Sequence, residues 1–157
     1  VVLLALSSAV AFAGDYPIMK DGLWSTTVTM ASNKVPPQSG TMCNSTAVFQ
    51  AMMDARKGPN RPCQSSGVEH SGSTYTDHMT CNFGGRVTQT TTIATFTGDT
   101  AVHTEIHQAD GTVSMSSDSK YLGSCPAGMV PGDYVDSKGT KFNILHPETA
   151  VIPGKKP

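Results

Sequence analysis

The chain has 157 residues, with 11 Lys+Arg against 12 Asp+Glu and a net charge of −1. That length suits one domain, and the even charge balance excludes the basic footprint of a nucleic-acid binder. Charged residues make up only 15%, against about 25% in average globular proteins, while 38% hydrophobic residues are enough for a packed core and exclude wholesale disorder.

Residues 1–13, VVLLALSSAVAFA, are apolar and small and end in Ala11-Phe12-Ala13. This is the pattern of a signal-peptide core with its A-x-A cleavage site, so cleavage is expected after Ala13. The run is shorter than the ~20 apolar residues that span a bilayer, and no membrane span is expected. Export to the periplasm or beyond places the cysteines in an oxidising compartment. Cys43, Cys63, Cys81 and Cys125 show no C-x-x-C spacing, which favours two disulfides over a zinc or redox motif.

Asp21-Gly22 opens a strand in which Trp24, Thr26, Val28 and Met30 share one face by period two. Pro36-Pro37 marks a loop. Asn44 or Ser45 can cap a short helix from residue 46 to about 57, with Val48, Met52 and Ala55 in one stripe and Gly58-Pro59 as its stop. Residues 63–69 and 74–82 read as strands around His70-Ser71-Gly72-Ser73. Residues 86–97, rich in branched Thr, form another strand. Gly98-Asp99 and Asp110-Gly111 then turn the chain into residues 100–108 and 112–121. The expected fold is mainly β: an antiparallel meander forming a curved sheet or partly closed barrel, with one short helix and two disulfides. The expected organisation is a leader over 1–13, a disulfide-bonded domain over 14–133 and a Pro/Gly-rich arm over 134–157. In the arm only residues 141–145 look able to form a strand.

Counting outward from the hairpin turn puts Cys63 and Cys81 nearly opposite each other, within about one residue of register. This favours Cys63–Cys81 with Cys43–Cys125. The alternative, Cys43–Cys63 with Cys81–Cys125, stays open at the level of sequence.

These residues resemble a bacterial exported family known as domain-of-unknown-function family 3617. The resemblance rests on Gly22-Leu23-Trp24, then Cys43 ahead of a short helix, then Cys63 and a hairpin ending in Cys81. It closes on Leu122-Gly123-Ser124-Cys125-Pro126-Ala127-Gly128-Met129 with Pro131-Gly132-Asp133. It implies export and supplies no catalytic residues. Gly22-x-Trp24 also resembles the first strand of lipocalin-type barrels, which implies a Trp packed across one barrel end and a cavity for a small ligand.

On that reading a ligand on the concave face would meet Met30, Ile93, Phe96, Val102 or Met115, with Trp24 beside them. The strand over 100–108 places His103, Glu105 and His107 on one face, which makes them metal-ligand candidates, with His78 as a possible fourth. No G-x-S-x-G elbow or phosphate loop is present, and the sequence implies no cofactor. The leading expectation is a non-catalytic envelope protein that binds a protein partner or a small apolar ligand. One alternative is an assembly subunit, a homo-oligomer that uses its C-terminal arm or sheet edge. The other is a metal-dependent enzyme at the His103/Glu105/His107 face.

Overall fold

The computed structural model describes residues 12–13, 16–32, 34–55 and 61–151. In chain order its elements are β1 (Phe12–Ala13), β2 (Gly22–Met30), β3 (Gln38–Asn44), α1 (Thr46–Asp54), β4 (Cys63–Ser71) and β5 (Thr74–Phe83). They continue as β6 (Arg86–Thr97), β7 (Ala101–Gln108), β8 (Val113–Gly123), β9 (Asp133–Asp136), β10 (Lys141–Asn143) and β11 (His146–Val151). All eleven strands join one antiparallel sheet in the order β1-β4-β5-β6-β7-β8-β2-β3-β9-β10-β11, and its two ends do not pair. The mainly-β architecture with one helix is thus the one the alternation implies. No helix among the described residues is long and apolar enough to cross a membrane. The expected leader lies outside the described residues, except for Phe12–Ala13 beside β4.

β3 and β4 are separated by five strands in the sheet, yet α1 connects them in the chain. The helix therefore crosses one face of the sheet. Its start is fixed three ways. Ser45 is the N-cap, and its side chain accepts from the Val48 amide at 3.2 Å. Asp21 accepts from the Thr46 amide at 2.7 Å and the Thr46 hydroxyl at 3.0 Å, placing a carboxylate at the positive end of the helix. Cys43, one strand position earlier, is bonded to Cys125. Where the crossing segment enters β4, Cys63 stands directly opposite Cys81 and is bonded to it. The hairpin count therefore selects the correct pairing of the two that the sequence leaves open. Arg56, Lys57 and Gly58-Pro59, the expected end of the helix, lie outside the described residues.

Gly22 sits at φ +141°, and a Cβ there would run into the Gly123 carbonyl and the Tyr121 ring. This close approach accompanies a bulge: Leu23 pairs with Gly123 but Trp24 pairs with Tyr121. Leu122 is the extra residue and is left 53% exposed. Trp24, only 1% exposed, packs edge-on against Tyr121 and donates its indole N–H to the Lys20 carbonyl at 2.8 Å.

The arm is more regular than its composition suggests. β9 pairs with β3, and β10 and β11 extend the sheet beyond it. The one strand expected there, over 141–145, is confined to Lys141–Asn143. Gly40 makes room for the Tyr134 ring, since a Cβ there would collide with it. Asp133 is buried. It accepts from the Val130 amide at 3.0 Å, pairs with Lys141 Nζ at 2.9 Å and accepts from Asn143 at 3.2 Å. The Val130 amide, followed by Lys141, holds its carboxyl below the usual Asp range. Its contribution is therefore present above the ordinary value of 3.8 and is lost as pH falls through the depressed value.

Asp133→Ala removes the shared acceptor of this clasp and is expected to cost about 1–3 kcal/mol. Hydrogen exchange should then quicken selectively over residues 133–151 while residues 22–30 keep their protection. Equal loosening of both stretches would show that the clasp is not local to the arm.

Candidate ligand cavity

Alternation decides what faces α1. Along β6, Thr92, Ala94 and Phe96 point to the helix side. On β7 the same side carries Val102, Thr104 and Ile106, and on β8 Met115, Ser117 and Ser119. Among the described apolar residues only Trp24, Cys43, Val48, Cys81 and Ala94 are fully buried. The remaining inward side chains do not fill the space beneath the helix. They surround a cavity of about 650 Å³ between the sheet and α1. This volume lies within the ~300–1,000 Å³ typical of small-molecule sites.

Six of the chain's eight methionines line this cavity: Met19, Met42, Met52, Met53, Met79 and Met115. Unbranched thioether chains adapt their shape to what they touch. Thr26 and Ser119 share a hydrogen bond of 2.8 Å across β2 and β8, so part of the hydroxyl lining is internally paired. At one end Tyr16 lies 5.7 Å from Tyr75 and 6.5 Å from Phe96, ring centre to ring centre. The lining also includes Arg61-Pro62-Cys63, where the crossing segment reaches β4. Among the described residues Arg61 is the one charged residue of the lining.

Of the ligand-facing residues expected from sequence, Phe96, Val102 and Met115 lie in this lining. Ile93 does not: it falls between Thr92 and Ala94 and so projects from the opposite face, beside Thr91, His78 and His107. Met30 pairs with Met115 but is 42% exposed, because it ends β2 outside the covered region. Trp24 is buried and is not among the lining residues. Sequence parity on β5 points to Met79. Met42 lies on β3 opposite Trp24, a strand the sequence does not mark, and Arg61 is brought in only by the path of the crossing segment.

His103, Glu105 and His107 occupy the outer face. They form a row rather than a convergent set. Asp118 meets His103 Nδ1 at 2.7 Å, and Glu105 lies 3.6 Å from His103 Nε2 and 3.0 Å from His107 Nε2. The Gly111 carbonyl meets His107 Nδ1 at 3.1 Å. Both ring nitrogens of His107 are thus engaged. His78 is bonded to Thr91 on the neighbouring strand. Among the described residues no group of three or more His, Cys, Asp or Glu side chains is placed to hold a metal ion. The spacing of i,i+2 residues along an extended strand explains this.

A family model, described as a protein of unknown function, DUF3617, matches residues 19–125. The chain belongs to the DUF3617 family. The matched stretch contains the buried Trp24, the crossing helix, both disulfides and the strands that line the cavity, while the clasped arm follows it. No curated protein and no solved structure matches this DUF3617 chain.

The His103 pKa is raised, chiefly by its hydrogen bond to Asp118, and that of His107 is raised chiefly by the Gly111 carbonyl and then Glu105. A raised histidine binds its proton more tightly when folded. The resulting stability is full below the ordinary value of 6.5 and is lost as pH rises through the raised value. Asp118→Asn is expected to return the His103 titration, followed by NMR, toward the ordinary value while His107 keeps its own. An unchanged His103 titration would show that the pair does not persist in solution.

Proposed function

We propose that this protein is an exported, non-catalytic binding protein that holds a small apolar ligand between its sheet and α1. The observation that carries this reading is the methionine-lined cavity of about 650 Å³ in a fold with so few fully buried apolar side chains. A domain that only needed stability would gain by filling that space, since each buried methylene contributes about 0.8 kcal/mol. Export is supported by the apolar leader with its A-x-A end and by two disulfides. The arm directs its strand hydrogen bonds to β3 of its own sheet, which weighs for ligand binding over an assembly built on the arm.

The sheet–helix geometry suits such a role. Release needs only that the crossing segment lift or that one end of the cavity open, while the strands stay paired. N-phenyl-naphthylamine, a neutral apolar fluorophore, is expected to brighten and shift to the blue on binding the full chain. Thr104→Phe and Ser117→Phe each place a ring in the cavity and should weaken that binding about tenfold. Either variant serves if the other fails to fold. No brightening, or brightening that both folded variants retain, would overturn the proposal.

A further inference from the structure

Arg61 sets the chemistry of the ligand more narrowly than apolarity does. It is exposed, it lines the cavity, and among the described residues it is the lining's one charged residue. Among the described residues no carboxylate pairs with it; its own recorded bond is a backbone one, its carbonyl accepting from Gln64 at 3.0 Å. A guanidinium stays charged at every physiological pH and offers a planar fork of donors suited to a carboxylate or phosphate. The opposite end of the cavity is closed by Tyr16 and Phe96. Between the two ends lie Met53, Met79 and Met115, flexible side chains that fit an unbranched chain as well as a rigid ring. Charge at one end, closure at the other and adaptable apolar walls between describe an elongated ligand with a single polar terminus.

We infer that the cavity takes a single-chain amphiphile with an anionic head, its chain among the methionines and its head at Arg61. This rests on the ligand-binding reading above and goes beyond it in fixing polarity, orientation and head-group charge. Burial of the chain makes affinity grow with length, roughly tenfold or more for every two added methylenes until the cavity is full.

The test displaces N-phenyl-naphthylamine from the full chain at neutral pH with three ligands of one chain length: dodecanoate, dodecanol and dodecyltrimethylammonium. Dodecanoate should displace at a concentration about tenfold lower than dodecanol, with the cationic ligand weakest. Arg61→Gln should bring the acid level with the alcohol, and Arg61→Glu should reverse the order of acid and ammonium. Fluorophore affinity is measured for each variant, and displacement is read relative to it. If the three ligands displace equally, or the order survives Arg61→Gln, the head-group assignment fails while the cavity stands. If the fluorophore never binds, the ligand-binding reading itself has failed.

Discussion

An open sheet cannot enclose anything unless the segment that crosses it is held at both ends. Here that segment is α1 with the chain leading to β4, and its fixation is the constraint on which the cavity depends. At the start, the Cys43–Cys125 bond, the Ser45 cap and the Asp21 carboxylate act within a few residues of one another. At the finish, Cys63–Cys81 joins the segment to the sheet. In the chain-entropy picture each bond is worth roughly 3–4 kcal/mol, the one closing the longer loop more. Their placement matters beyond that total, because they hold the helix over the sheet where Val48 is its one buried side chain.

The short sequence Asp21-Gly22-Leu23-Trp24 serves three parts of this arrangement. Asp21 anchors the helix, Gly22 allows the bulge against Gly123, and Trp24 packs edge-on against Tyr121 while donating to the Lys20 carbonyl. These roles need different residue types: a carboxylate, a residue without a side chain, and a large ring with one donor. The low charge of the chain follows from the same design. A curved sheet with a cavity on one side and solvent on the other offers Thr and Ser a use on both faces. Hydroxyls can sit in the lining when paired, as Thr26 and Ser119 are, whereas an unpaired carboxylate there would carry a heavy desolvation cost.

Much of this was legible in the sequence, wherever a rule of local geometry applied. The hairpin disulfide followed from counting away from a tight turn, because register in a hairpin is fixed by the turn. The separation of Val102 and Ile106 from His103 and His107 followed from period two. Ile93 and Phe96 differ in parity, so the same rule, applied to β6, separates Ile93 from the lining; the Thr-rich strand hides this because neither of its faces is marked by contrast in polarity. The arm was misjudged for another reason. Its strands are short and interrupted, and what orders them is non-local: the open edge of β3, the space left by Gly40, and a buried acid joined to Lys141. Arg61 was illegible because its position depends on the path of the crossing segment, a property of the assembled fold.

The arm bears on the cavity although it contributes nothing to its walls. The Gly132 amide donates to the Cys43 carbonyl at 2.8 Å and the Ile144 amide to the Gly132 carbonyl at 2.8 Å, so the arm is hydrogen-bonded at the residue where one disulfide begins. Asp133, next along, draws Val130, Lys141 and Asn143 into one polar cluster. The arm therefore braces the end of β3 from which the helix departs, the place already fixed by Ser45, Asp21 and Cys125. At the finish of the crossing the Asn82 amide donates to the Pro62 carbonyl at 2.6 Å beside the Cys63–Cys81 bond, so the return to the sheet is tied at two neighbouring residues.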